Sequence, residues 1–253
     1  MNINDRFRLD GRVALITGAG RGIGRACAIA LAQAGAEVWL AARTKKEIDE
    51  VAAEIGTRAH AVACDVTKAD QIKRVLSGIE VLDVLVNNAG SNIPEPFVEV
   101  TEEHLDRIMG LNLRSAFLVA QAAAKKMLEH PERKRRGGAI INMSSQMGHV
   151  GAVNRSVYCM TKHGLEGLTK AMALELIAHN VRVVSIAPTF VETPLVKEFL
   201  QRPGFSQWVH ERIPAGRVGD VEEVAGAVLF AASPAASLVT GTSLLVDGGW
   251  TAQ

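Results

Sequence analysis

Seven short runs of apolar, often β-branched residues alternate along this chain with longer Ala-rich amphipathic segments, and few folds accept that rhythm. Apolar residues that run continuously or alternate over a few positions mark strands, whereas recurrence at every third or fourth position marks a helix. The strand-like runs fall at 12–17, 37–41, 59–63, 84–87, 138–143, 182–186 and 243–246. Helical patterns begin near Ile23, Lys45, Lys68, Thr101, Val157 and Val221. Val13-Ala14-Leu15-Ile16 and Ala139-Ile140-Ile141 are apolar throughout, as strands covered on both faces need to be. Strands that alternate with helices build βαβ units around a parallel sheet, so the chain reads as α/β.

Two segments break the rhythm. Residues 129–138 (EHPERKRRGG) form a basic stretch between a helix and a strand. It reads as a solvated loop, with an interface or anion site as the sharper alternative. Residues 189–214 carry Pro194, Pro203 and Pro214 and are long for a connection in a compact domain, so about 190–214 reads as a lid. No repeat or linker divides the 253 residues, and 48% hydrophobic content is ample for one core, which favours a single domain over 1–253.

Composition removes several function classes. A net charge of +1 gives no footprint for nucleic acid or an anionic membrane surface. No uninterrupted apolar run reaches membrane-spanning length, and the first twelve residues mix both charge signs, unlike a signal peptide. Cys27, Cys64 and Cys159 are odd in number and lack metal-ligand spacing. They point to a reducing, cytoplasmic setting and to no metal site.

Residues 17–24 read Thr-Gly-Ala-Gly-Arg-Gly-Ile-Gly, directly after the first strand and opening the first helix. In that context glycines allow a tight turn and close approach of a pyrophosphate to the helix N-terminus. The spacing is T-G-x-x-x-G-x-G, set by Gly18, Gly22 and Gly24. The architecture that follows is a Rossmann-type, doubly wound domain with a seven-stranded parallel sheet and helices on both faces. A ribose-binding acid belongs near the end of the second strand, yet Arg43 stands there. An arginine accommodates a 2′-phosphate that an acid would repel, so NADP is the expected cofactor and NAD the alternative.

Tyr158 is the single tyrosine of the chain, and Lys162 follows it by one helical turn. A cation stacked beside a phenol favours the phenolate, which would make Tyr158 a base near neutral pH. Ser145 lies thirteen residues upstream.

With these marks the chain resembles a short-chain dehydrogenase/reductase over essentially its whole length. The family's features occur in order: the glycine turn, Asp65-Val66 after the third strand, Asn87-Asn88-Ala89-Gly90 after the fourth, Asn112, Ser145, Tyr158 and Lys162. Pro188 and Thr193 match the ends of its P-G-x-x-x-T segment, with Thr189 in place of the glycine, and Asp247-Gly248-Gly249 match its C-terminal turn. The resemblance implies an NAD(P)-dependent interconversion of a secondary alcohol and a ketone. It makes Tyr158 the general acid/base, Lys162 its electrostatic partner and a ribose ligand, Ser145 a donor to the substrate oxygen, and Asn112 the holder of a proton-relay water. Cofactor contacts are implied at Gly18, Gly20, Arg21, Gly22, Ile23, Arg43, Asp65, Val66, Asn88, Ala89, Gly90, Pro188, Thr189, Val191 and Thr193, besides Tyr158 and Lys162. A homotetramer is implied as well.

Substrate choice in such proteins comes from residues flanking Ser145 and Tyr158 and from the lid. Here Gln146, His149, Asn154 and Arg155 offer donors suited to hydroxyls and a carboxylate, which fits a small polyol or sugar acid. The competing placement of His149 and Arg155 is solvent or a subunit partner. Reduction of a 3-oxoacyl thioester on an acyl carrier protein is the alternative function, for which Arg133–Arg136 would be the carrier's basic patch. A non-catalytic cofactor-binding regulator is a minor third reading.

Overall fold

The computed structural model describes residues 2–201 and 204–253. All seven expected strands form: β1 (Val13–Thr17), β2 (Glu37–Ala42), β3 (Ala59–Ala63), β4 (Val84–Asn87), β5 (Gly138–Met143), β6 (Val181–Pro188) and β7 (Ser243–Val246). They pair in parallel in the order β3-β2-β1-β4-β5-β6-β7. β6 runs two residues beyond the apolar stretch because Ala187 and Pro188 still find partners in Leu245 and Val246 of β7. The order reverses between β1 and β4, and a crevice opens outside the carboxyl ends of strands at such a point.

Helices α1 (Gly22–Gln33), α2 (Lys45–Ile55) and α10 (Val221–Ala232) cover one face of the sheet. The other face carries α3 (Ala69–Ser77), α5 (Ser115–Leu128) and α7 (Ser156–Leu176). Successive strand side chains take opposite faces, so Ile16, Val86 and Ile141 enter the first core while Leu15, Leu85 and Ile140 enter the second. Each such large apolar side chain, fully withdrawn from water, contributes about 1.5–3 kcal/mol. The alanines of 120–124 and Ala173 pack into the second core, so they serve the sheet of their own chain.

The helix expected from Thr101 is interrupted. Thr101 caps α4 (Glu102–Met109) through its side chain, and Gly110–Arg114 then winds as a π segment before α5. The stretch 190–214, expected as a lid, holds two helices, α8 (Pro194–Leu200) and α9 (Phe205–Arg212). Pro203 lies outside the described residues.

The basic stretch is solvated only in part: Lys134 and Arg135 are exposed, whereas Arg133 is buried. It folds as a short helix, α6 (Arg133–Arg136), that turns two of its arginines inward. Asp83, 1% exposed ahead of β4, accepts Arg133 Nη1 at 3.1 Å and Arg136 Nε and Nη2 at 2.6 Å each. The backbone N–H of Val13 adds a bond at 3.0 Å and Arg12 lies at 3.4 Å. Arg133 is itself buried and also donates to the carbonyls of Leu82, Met127 and Gly137. Burial opposes ionisation of Asp83, but the Arg136 bonds, the Val13 N–H and the neighbouring charges outweigh it and hold the pKa below the usual value. Asp83→Asn would leave buried guanidinium charge uncompensated, so a loss of about 3–5 kcal/mol is expected at neutral pH from urea denaturation. A folded-state pKa below the unfolded one gives stability that is present above the unfolded value, near 3.9, and fades as pH falls through the folded one. The gap between parent and variant should therefore narrow under acid conditions.

Candidate active site

The crevice at the reversal is lined by the glycine turn, by the ends of β2 and β3 and by the segment after β4. Gly18 and Gly22 hold φ of +65° and +54°, and an added Cβ on Gly24 would stand 2.2 Å from the Gly18 carbonyl oxygen. Only glycine closes this turn. Asn88 fastens it: its Nδ2 donates to the carbonyl of Thr17 at 2.9 Å, while the N–H groups of Asn88 and Ala89 donate to Thr17 Oγ1 at 2.9 and 3.0 Å. No side chain caps the first turn of α1, so that turn keeps free N–H donors and the positive end of its dipole. A bare glycine cradle with uncapped donors fits a dinucleotide pyrophosphate.

Asp65 and Val66 line the crevice beyond the glycines, as do Ala89 and Gly90. Burial pushes the Asp65 carboxyl up, but two Thr67 bonds to its Oδ1, at 2.9 and 2.8 Å, and the charge of Arg43 bring it below its ordinary pKa. Arg43 stands exposed at the rim, beside Arg21.

One strand along, Ser145 and Tyr158 meet. Ser145 follows β5 and Tyr158 lies in the first turns of α7, which brings the serine hydroxyl near enough to act on the phenol. The Lys162 ammonium lies 5.4 Å from the Tyr158 ring centroid and donates to the Met143 carbonyl at 2.7 Å. Asn112 sits in the π segment, buried, and ties the two regions together. Its side chain accepts from Ser91 N at 2.9 Å and donates to Ser91 O at 2.8 Å and to Thr161 Oγ1 at 3.3 Å. It thus joins the crevice wall to the helix of Tyr158 and Lys162.

A family model described as Enoyl-(Acyl carrier protein) reductase matches residues 18–251. The L-xylulose reductase of Mus musculus is 40% identical over 246 residues, 96% of this chain and 98% of that protein. The 3-oxoacyl-acyl-carrier-protein reductase of Aquifex aeolicus is 38% identical over 96% of this chain and 98% of its own. A crystal structure of a gluconate 5-dehydrogenase from Burkholderia cenocepacia, in complex with NADP and tartrate, superposes with a TM-score of 0.93 at 36% identity, covering 100% of both chains. The chain belongs to the short-chain dehydrogenase/reductase family.

As a short-chain dehydrogenase/reductase it is an oxidoreductase of the alcohol dehydrogenase and ketoreductase type. Within that frame the phenol behaves differently from the sequence expectation. Burial raises the Tyr158 pKa above 10, against the Ser145 hydrogen bond and the charge of Arg155, so the hydroxyl keeps its proton at neutral pH. Burial likewise brings Lys162 down to about 8.

Four further placements depart from the sequence reading. His149 turns its Nε2 to Ser243 Oγ on β7 at 3.0 Å and to Glu166 Oε1 on α7 at 3.4 Å, so that nitrogen is engaged within the protein. Asn154 is exposed at φ 60°, and its backbone carbonyl accepts from Glu95 and Arg155. Thr189 and Val191 face a second cavity of about 290 Å³ that Ile213 and Ala215 also line, with Val191 buried and bridged to Gly219. Thr189 Oγ1 is buried there with no hydrogen-bond partner among the described residues. Thr193 does reach the crevice, where an added Cβ on Gly22 would lie 3.2 Å from its methyl. Pro188 ends β6, buried, and Gln146 is 1% exposed with an unpartnered Oε1.

The crevice also recruits residues that sequence reasoning passed over: Ala41, Cys64, Glu47, Ser91 and Leu111. Ala41 and Cys64 were within reach, because small residues at strand ends beside Arg43 and Asp65 leave room for a flat ring. Glu47 carried no signal. It arrives from the first turn of α2, 4.0 Å from Arg21 Nη1, and only the turn of the chain brings it there.

Proposed function

We propose that this protein is an NADP-preferring oxidoreductase that interconverts a secondary alcohol and a ketone on a small polyhydroxylated substrate, a polyol or a sugar acid. One arrangement carries the reading: Ser145 acting on the Tyr158 phenol, with the Lys162 ammonium beside the ring and a glycine-lined crevice one strand away. A bound nicotinamide supplies or accepts the hydride. The chain's own residues manage charge and protons around it. A protonated Tyr158 is the form that gives a proton to a ketone oxygen, and the Ser145 hydroxyl stabilises the charge that builds there. Lys162 stabilises the phenolate left behind and Asn112 maintains the path for its reprotonation.

The glycine turn with Arg21 and Ile23 would hold the pyrophosphate, Asp65 and Val66 the adenine, and Asn88, Ala89 and Gly90 the adjoining ribose. Pro188, Thr189, Val191 and Thr193 would meet the nicotinamide end, Thr189 and Val191 through their backbone. Arg43 supports NADP over NAD, as does the NADP bound by the similar gluconate 5-dehydrogenase. Glu47 beside it would oppose a 2′-phosphate, and its approach to Arg21 offsets that charge. The polyol or sugar-acid class rests on Gln146 and Arg155 and on the L-xylulose and gluconate specificities in the relatives' names. Reduction of a carrier-protein thioester is the second reading, supported by the similar 3-oxoacyl-acyl-carrier-protein reductase; Arg133 and Arg136 are spent on Asp83, which leaves Lys134 and Arg135 as its exposed basic patch.

The domain is taken as one unit over 1–253, with 190–214 as its lid. Exposed Phe97, Val98, Phe117, Val153 and Met160 on and around α5 and α7 support a homotetramer. Three free cysteines support a cytoplasmic setting, and no described helix is long and apolar enough to cross a membrane.

Tyr158→Phe should lower turnover by about 10²–10⁴-fold while cofactor affinity, read by fluorescence titration, stays near parent; Lys162→Ala should damage both. A Phe variant with parent-like turnover would sink the role. Arg43→Ala should reduce the ratio of kcat/KM with NADP to that with NAD by about 10–100-fold, the worth of a charge-assisted hydrogen bond. A parent enzyme that prefers NAD would overturn the cofactor assignment. Arg155→Ala should raise KM for an acidic sugar about tenfold more than for the matching polyol, and equal effects would remove the carboxylate contact.

A further inference from the structure

Glu166 is a buried carboxylate to which the hydride-transfer reading gives no task. It follows Lys162 by one helical turn on α7, so both side chains leave the same helix face, toward the sheet. Its Oε2 accepts from Ser185 Oγ at 2.6 Å and its Oε1 from Ser243 Oγ at 3.3 Å. Those serines are register partners on β6 and β7, which sets two hydroxyls side by side under the carboxylate. His149 reaches the same oxygen from the partly exposed edge. The turn after Ser145 closes tightly over the pair. A Cβ added to Gly148 would lie 3.1 Å from the Lys162 carbonyl and 3.2 Å from Glu166 Cγ.

Lys162 needs such a neighbour. The residue is 6% exposed, and its ammonium has one hydrogen-bond acceptor among the described residues, the Met143 carbonyl on β5. A buried ammonium with a single neutral partner tends to give up its proton. The groups around it are few. Tyr158 and Glu166 come from its own helix, Ser185 and Ser243 from β6 and β7 are uncharged, and His149 comes from the turn after β5. Arg155 and Cys159 act on Tyr158 rather than on the lysine. We propose that Glu166 is a positioning residue for the reaction: its carboxylate, fixed by Ser185 and Ser243, keeps the buried Lys162 ammonium charged and beside Tyr158. The proposal rests on the assignment of Tyr158 and Lys162 made above. It accords with the opposing effects on Lys162, which burial lowers and Glu166 raises. It also gives His149 a place, as the group that closes the carboxylate off from solvent.

Glu166→Gln tests it through two readouts. In the cofactor-free protein the Lys162 amine can be followed by NMR with isotope-labelled lysine, its signal assigned with Lys162→Met. A lysine with a lowered pKa loses its charge as pH rises through that value. The Gln variant should therefore titrate roughly one pH unit lower than parent, and the alkaline limb of kcat/KM should move the same way. Glu166→Asp, which keeps the charge, should bring both back to within about 0.3 of parent. A titration and limb that stay in place while the rate falls equally at every pH would mark a purely structural Glu166 and overturn the proposal. If the Gln variant does not fold, Ser185→Ala keeps the carboxylate but removes its shortest bond and should shift the titration in the same sense; no shift there overturns the proposal too. If the parent enzyme shows no oxidoreductase activity, the functional assignment fails, while the NMR titration still decides the part played by Glu166.

Discussion

The clamp between Thr17 and Asn88 is the contact on which the rest of the architecture turns. β1 and β4 are neighbours in the sheet, yet the chain leaves them toward opposite faces, so their carboxyl ends would splay without a tie. Thr17 supplies that tie by accepting two backbone N–H groups through its hydroxyl and the Asn88 amide through its carbonyl. The same bonds set the floor of the crevice and the distance between the glycine turn and the Asn88–Gly90 segment. Asn112 extends the frame by holding Ser91 at one end and Thr161 at the other. Thr161 precedes Lys162, so a chain of hydrogen bonds joins the crevice to the reactive cluster. Each link pairs a side chain with its partner, so the geometry depends on the rotamers of Thr17, Asn88, Asn112 and Thr161.

Buried charge appears at both ends of the sheet and is handled in two ways. At the amino ends Asp83 gathers several guanidiniums around a single carboxylate, where Coulomb attraction and direct hydrogen bonds exceed the cost of desolvation. Nothing there needs to change charge. At the carboxyl ends Lys162 has one carbonyl in contact and a carboxylate farther along its helix, so desolvation is only partly offset and its pKa falls to about 8. An incompletely compensated cation responds to changes in neighbouring charge. The contrast separates a fully compensated ion cluster from an open one on physical grounds.

The sheet was legible in the sequence because buried strands are apolar without interruption, and a run such as Val13–Ile16 admits no other placement. The glycine turn, Asn88, Asn112, Ser145, Tyr158 and Lys162 were legible because each depends on local spacing that the fold preserves. What escaped depends on partners distant in sequence. Arg133 and Arg136 looked like solvated charge, since the acid that binds them lies about fifty residues upstream. His149 looked like a pocket donor because its neighbours in sequence are; Glu166 and Ser243, which engage it, come from a different helix and the last strand. The π segment was hidden because its residues are ordinary helix formers, and its cause is the side chain of Asn112 reaching across to Ser91.

Burial acts on Tyr158 and Lys162 in opposite senses: it raises the pKa of the phenol and brings that of the ammonium down to about 8. In both cases it favours the neutral form. Ser145 and the charge of Arg155 oppose it at the phenol, and Glu166 opposes it at the ammonium. The charged forms of the pair therefore depend on those three neighbours, which come from the end of β5, from the N-cap of α7 and from α7 itself.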